Sequence, residues 1–293
     1  AITLTDVDTN DGTITVDAGG ALTVTDVASG TNGNIVLSTS SGDITGLATV
    51  NAGSGNVTLN SAGAIVDDGS SGTVITGGVL TADAAGGITI DSTVTSANIS
   101  TSAAGAVDLD ETDAITLTDV DTNDGSITVD AGGLITATDV VASGGSGDSV
   151  TLSTTTGGAV ATLVTGADAV SITANAGDIT IGSVTATAGT LGVTATAGSI
   201  NDAADDNTAD FTAGGLITLT AQDEIGVLGS GSDLDLEFAA GSSVNVSTTG
   251  TGAIDLDGLG ALTLSDVDTV NGAITASSAG ALTVTDVASG TNG

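Results

Sequence analysis

The chain reads as an all-β parallel β-solenoid, a stack of short coils of roughly 20 residues. Three observations predict it. Residues 1–20, AITLTDVDTNDGTITVDAGG, return at 114–133 with one change, Thr13 to Ser126. Residues 1–33 return at 261–293, where the closing GALTVTDVASGTNG is identical to residues 20–33. Inside each copy a Thr/Ser-Asp-Val tripeptide occurs twice, always at the same spacing: Asp6 and Asp26, Asp119 and Asp139, Asp266 and Asp286. A short period nested in a long one is the pattern of stacked coils. At that length the 293 residues hold roughly 14 or 15 coils, with no linker, so 1–293 is expected to be one continuous solenoid segment. The last copy stops where the first runs on into Asn34-Ile35-Val36, so the segment is expected to be a slice of a longer array.

The strands follow from short Thr-aliphatic alternations bounded by Gly, Asn or Asp, such as Ile2-Thr3-Leu4-Thr5, Thr13-Ile14-Thr15-Val16 and Leu22-Thr23-Val24-Thr25. Period-2 alternation of β-branched residues suits a strand buried on one side. It turns Ile2, Leu4, Ile14, Val16, Leu22 and Val24 inward and the threonines outward. With a coil as long as the tripeptide spacing, Ile2 and Leu4 lie under Leu22 and Val24. No window carries the i, i+3, i+4, i+7 spacing of a helix. Gly and Asn are expected at corners that require positive φ, with Gly12, Gly33 and Gly55 one coil apart. The segment Asn201–Asp210, NDAADDNTAD, is expected to be a loop leaving the stack.

Composition narrows the function. There are 36 acidic residues and no Lys, Arg or His, a net charge of −36. Hydrophobic residues make up 40% of the chain and mean hydropathy is +0.42, which argues against a disordered polyanion. With only Phe211 and Phe238 as aromatics, the core must consist of many small aliphatic layers. A chain without basic residues cannot neutralise phosphate, which excludes nucleic acid and anionic membrane surfaces as partners. No apolar run approaches the length of a spanning helix, so no membrane insertion is expected. Zero cysteine excludes disulfides and thiolate metal sites and is compatible with bacterial export of an unfolded chain.

Strands of the form GxITV and GALTVTDV, in short coils of this kind, resemble the repeat regions of filamentous-haemagglutinin-like exoproteins and giant bacterial surface adhesins. The resemblance extends over essentially the whole chain. It implies a right-handed parallel β-helix at the bacterial cell surface or outside the cell, working as a long fibre. Self-association end to end into filaments is the partner expected for such a segment. The alternative is an adhesin arm, presenting a ligand tip or binding divalent cations or surface glycans along its sides.

The chemistry-bearing candidates are acidic. Asp6, Asp8, Asn10 and Asp11, followed by Gly12, and the copy Asp119, Asp121, Asn123 and Asp124, followed by Gly125, alternate oxygen ligands before a turn glycine, as a Ca²⁺ loop does. The glycine falls at position 7, not 6, and the closing Glu of an EF-hand is missing; Val270 and Asn271 stand at the Asn10 and Asp11 positions of the third copy. The same residues also describe a corner that bonds its own backbone. No cofactor is required, and Ca²⁺ is the one cofactor the pattern suggests. With no cation in the chain, rows of stacked carboxylates are expected to stay exposed and associate with cations diffusely. Catalysis is not expected. The pairs Asp67/Asp68, Asp108/Asp110 and Asp205/Asp206 lack any Arg, Lys, Trp or Tyr to hold a sugar and any His or Cys to act as base or nucleophile. Thr-x-Thr pairs suit an ice-binding face, but the series breaks between Asn34 and Ser102. Sequons occur at Asn56, Asn98 and Asn245.

Overall fold

The computed structural model describes residues 1–70, 72, 74–204, 206–226, 233–239 and 242–290. The chain is all-β, a parallel β-solenoid with about 21 residues per turn and roughly 13 turns; no helix occurs among the described residues. It forms two compact units, Ala1–Gly132 with Asp139–Asp148, and Gly133–Thr138 with Ser149–Gly293.

In the first unit a turn carries three short strands. Ile2–Leu4, Val7–Asp8 and Ile14–Ala18 make one turn; Leu22–Val24, Asp26–Ala28 and Ile35–Thr39 make the next. Each strand pairs in parallel with its counterpart one turn on, so like residues stack. One column runs Ile2, Leu22, Ile44, Ile65, Ile88, Val107 and Ile127. A second runs Ile14, Ile35, Val57, Leu80, Ala97 and Leu117. The expected register, Ile2 on Leu22 and Leu4 on Val24, is the observed one. From Leu22 onward every member of the first column is buried. Burying each such aliphatic side chain contributes about 1.5–3 kcal/mol. Ile2, with a neighbour on one side only, remains 37% exposed.

The third column starts as Val7, Val27, Val50 and Ile75 and then meets Ser92, which stacks on Glu111. Both are buried. The Ser92 hydroxyl donates to Glu111 Oε2 at 2.6 Å and the Val94 N–H to the same oxygen at 3.1 Å, while the Asp113 N–H reaches Oε1 at 3.4 Å. Three donors make an acidic side chain tolerable inside an otherwise aliphatic stack, although burial still holds its pKa above the ordinary value.

The second unit is built the same way. Val150, Val170, Leu191, Ile217, Val244 and Leu264 form one column, and Val164, Val184, Phe211 and Leu236 another. A third runs Ile135, Ala159, Ile179 and Ile200, and continues through single bridges to Ile225 and Ile254. The steps from Leu191 to Ile217 and from Ile217 to Val244 take in more chain than the step from Val150 to Val170. Turns with these excursions raise the mean above the length of the sequence repeat and lower the number of turns.

The corners are closed by hydroxyls. Thr39 Oγ1 donates to the Gly42 carbonyl at 2.8 Å and accepts the Ala62 N–H at 3.1 Å. Thr101 with Gly105, Thr154 with Gly157, Thr248 with Gly252 and Thr269 with Gly272 repeat the first of these bonds. Glycine serves mainly for close approach. A Cβ on Gly33 would lie 2.5 Å from the Gly12 carbonyl oxygen, and one on Gly55 2.4 Å from that of Gly33. Gly12, Gly33 and Gly55 have no positive φ, and neither does any described Asn; left-handed backbone falls instead at other glycines such as Gly30, Gly42 and Gly53, and the expectation for Gly33 and Gly55 is corrected to stacking without room for a side chain. The expected loop at Asn201–Asp210 is also only partly so: Asn201 and Asp202 end the strand Ile200–Asp202, and Asp210 is 4% exposed.

Replacing the buried Thr39 by the isosteric valine removes one donor and one acceptor. Thr39→Val is expected to destabilise the first unit by about 1–3 kcal/mol, seen as faster hydrogen exchange at the Ala62 amide.

Candidate functional site

The predicted loops are Thr-closed corners. Thr9 Oγ1 donates to the Gly12 carbonyl at 2.6 Å, Thr122 Oγ1 bonds the Gly125 carbonyl, and Thr269 Oγ1 donates to that of Gly272 at 2.9 Å. All three copies keep Asp-Val-Asp-Thr and the closing Gly, while the pair between Thr and Gly changes to Val270-Asn271 in the third. The next turn covers the corner tightly. A Cβ on Gly30, at φ 72°, would lie 1.8 Å from the Asn10 carbonyl oxygen; the corresponding distances are 2.2 Å from Gly144 to Asn123 and 2.0 Å from Gly290 to Val270. That backbone oxygen thus faces the following turn.

The acidic side chains divide into two roles. Asp11 Oδ1 accepts the Thr31 hydroxyl at 2.6 Å and the Thr31 N–H at 3.2 Å, across one turn. These bonds hold its carboxyl below the usual carboxylate range. The Asp-Val-Asp pairs behave oppositely. Asp6 and Asp8, two positions apart along the chain, project to the same side, and all of Asp6, Asp8, Asn10 and Asp11 are exposed. Partial desolvation, with Asp6 and Asp26 nearby, raises Asp8. Desolvation next to Asp119 and Asp139 pushes Asp121 up to about 6, and desolvation with Asp266 nearby raises Asp268. Asp119, Asp121, Asn123 and Asp124 are exposed, as expected of an uncompensated row.

In the second copy Asp121, Asn123, Asp139 and Ser143 line a cleft of about 340 Å³. Asp119 stacks on Asn98 beyond a bulge at Thr118, and Asp266 stacks on Asn245 beyond the equivalent bulge at Ser265. The sequon residues Asn98 and Asn245 therefore lie half-buried within strands; Asn56, which is exposed, accepts the Val79 N–H through Oδ1 at 3.1 Å.

The carboxylate pairs serve their own turns. Asp67 Oδ1 accepts the Gly69 N–H and Asp68 Oδ1 the Ser70 N–H, both at 2.9 Å. Asp110 stacks between Asp91 and Asp130, and its pKa is raised by desolvation, with Asp108 and Asp130 adding to it. Asp205 lies outside the described residues; Asp206 bonds Thr208 through both hydroxyl and N–H, which lowers its pKa.

The densest acidic group, in the second unit, was not singled out from the sequence. Asp233, Asp235 and Asp257 bring carboxylate oxygens within 4.8 Å of one another, the one such trio of acidic residues among the described residues. Asp235 stacks on Asp257, and Asp257 on Ser277. Asp210 Oδ2 accepts the Asp235 N–H at 2.8 Å, and the Asp210 N–H donates to the Asp235 carbonyl at 3.0 Å. Burial, with Asp202 nearby, pushes Asp210 up to about 8. The signal available in the sequence was a pair of Asp-Leu-Asp tripeptides, Asp233–Asp235 and Asp255–Asp257, one turn apart.

Gly30→Ala forces a Cβ onto the Asn10 carbonyl and strains a left-handed backbone. It is expected to lower the melting temperature of the first unit, whereas Gly19→Ala, where a Cβ meets nothing within 4 Å, leaves it unchanged. The raised carboxyls set the pH dependence. Asp210 moves from 3.8 to about 8 and Asp121 from 3.8 to about 6, so the folded state holds these protons more tightly than the unfolded chain. Their contribution to stability is full below about 3.8 and is lost as pH rises through 6 and 8. In chelator, melting at pH 8 should therefore occur below melting at pH 5, and Asp210→Asn should flatten the difference.

No protein-family model matches the chain, and no curated protein or solved structure matches it either.

Proposed function

We propose that this chain is a structural repeat segment of an extracellular or cell-surface fibre, supplying length, stiffness and protease resistance. The observation that carries the reading is the unbroken in-register stacking of aliphatic columns, turn upon turn, within each unit, from Leu22 to Ile127 and from Val150 to Leu264. Leu282, Val284 and Val287 continue the inward positions of the buried Leu262, Leu264 and Val267 and are 45%, 53% and 40% exposed. An aliphatic strand edge of this kind templates another strand. Proteins that avoid edge pairing use Lys, Pro or covering elements; this chain has neither Lys nor Pro.

Other features support the same reading. A chain with 36 acidic residues and no basic ones repels its copies laterally, which favours growth along the stack over bundling. Trypsin-like proteases have no Lys or Arg to cut. The resemblance to filamentous-haemagglutinin-like exoproteins, carried by the GxITV and GALTVTDV strands, points to the bacterial cell surface. Among the described residues no helix is long and apolar enough to cross a membrane. The second reading, an adhesin arm that binds cations or glycans along its sides, draws on the outward Asp-Val-Asp rows.

Electron microscopy of the purified chain over a range of concentrations tests the first reading. Thin unbranched threads are expected, and Val284→Asp should suppress them by placing a charge in the exposed column. Compact particles at every concentration would contradict it.

A further inference from the structure

We propose that Asp233, Asp235 and Asp257 form a calcium site that clamps two successive turns of the second unit. The argument rests on Asp235. Its side chain points away from the column that holds Leu234 and Leu236, yet it is only 2% exposed. Its Oδ1 is buried and has no hydrogen-bond partner among the described residues. A buried carboxylate oxygen without a donor is costly, and structures rarely leave one unless an ion or water belongs there.

The surroundings identify the missing partner as a cation. The neighbouring groups are acceptors: carboxylate oxygens of Asp233, Asp235 and Asp257 all lie within 4.8 Å of one another. Among the described residues, the one hydroxyl bonded to this trio, Ser277 Oγ, already donates to Asp257 Oδ1. No Lys, Arg or His exists anywhere in the chain, so no side chain can supply the positive charge. Water would satisfy one lone pair and leave the clustered carboxylates uncompensated; desolvation, with Asp233 and Asp257 nearby, pushes Asp235 up to about 6.

The donor set selects the ion. Oxygen-only ligands from carboxylates suit a hard divalent cation. Ca²⁺ binds oxygens at about 2.3–2.6 Å, so oxygens on opposite sides of one ion stand about 4.6–5.2 Å apart, a span that separations up to 4.8 Å fit. Mg²⁺ needs about 2.0–2.1 Å in a strict octahedron, which would require the turns to close further. Asp233 and Asp257 are half-buried, which leaves an open side for entry and for the remaining water ligands. Asp233 and Asp235 come from one turn and Asp257 from the next, where Asp235 stacks on it. The ion would therefore hold together the part of the unit with the longest steps between turns. The Asp6–Asp11 and Asp119–Asp124 corners differ in that their acids are exposed and no three carboxylates there converge as closely, although Asp139 Oδ1, beside Asp121, is also buried without a partner among the described residues.

Isothermal titration of the EDTA-stripped, dialysed chain with CaCl₂ in 150 mM NaCl tests the site. The expected isotherm has one strong equivalent above a weak, diffuse background. Asp235→Asn should weaken that equivalent at least tenfold, with Asp17→Asn, at an exposed position, leaving it unchanged. If circular dichroism finds Asp235→Asn unfolded, Asp233→Asn is expected to give the same loss in a folded chain. MgCl₂ should bind the same equivalent at least tenfold more weakly. A wild-type chain without a strong equivalent, a folded variant that binds calcium like the wild type, or equal affinity for Mg²⁺ would overturn the proposal.

Discussion

In-register stacking of each turn on the last is the constraint on which the rest of this structure depends. Side chains meet their counterparts about 4.8 Å above or below, and in the main columns those counterparts are of the same kind. For aliphatics this is favourable: the column from Leu22 to Ile127 is buried throughout. For carboxylates it is unfavourable, because like charges are forced together. The chain carries no basic residue to relieve them, so each acidic group has to be exposed, hydrogen-bonded, protonated or bound to an ion. The acidic side chains fall into these classes. Asp6 and Asp8 remain in solvent; Asp11 and Glu111 take donors from neighbouring residues; Asp210 holds its proton; Asp235 keeps an orphaned oxygen.

The corners express the same constraint in the backbone. Where turns bend, carbonyls and amides lose their ladder partners, and backbone from the next turn passes within contact distance. A threonine hydroxyl satisfies a carbonyl just beyond it in the chain, and a glycine leaves room for the turn above. The Thr-x-x-Gly corners at Thr9, Thr39, Thr122, Thr154 and Thr269 are one device used repeatedly. Its recurrence gives the Asp/Asn-rich loops a structural role whether or not an ion visits them.

The column register was legible in the sequence because the short repeat is a direct image of it: Thr3 lies on Thr23 as Asp6 lies near Asp26. Alternation then assigned inside and outside correctly for Leu4, Ile14, Leu22 and Val24, all buried, and for Thr3 and Thr23, both exposed. Turn length was harder to read, because the excursions before Phe211 and Val244 change spacing without disturbing the strands they connect. Positive φ does fall at glycines such as Gly30 and Gly42, but the reason for Gly33 and Gly55 was misjudged, since close approach by the next turn cannot be seen within one turn. The acid group around Asp235 was hidden for a related reason. Two ordinary Asp-Leu-Asp strands become a cluster only when their turns are superposed, and burial of Asp235 depends on Asp210, which follows a loop outside the repeat pattern.

The central claim is the parallel register, and cysteine cross-linking measures it directly in a chain that has no native cysteine. Thr3 and Thr23 are outward, exposed partners on adjacent turns, at a spacing within the Cα separation a disulfide spans. Under mild oxidation Thr3→Cys with Thr23→Cys is expected to form an intramolecular disulfide rapidly. Thr3→Cys with Thr13→Cys, which places the second thiol further along the same turn, should remain reduced. Equal cross-linking of both pairs, or linkage of the second alone, would contradict the stacked-turn account.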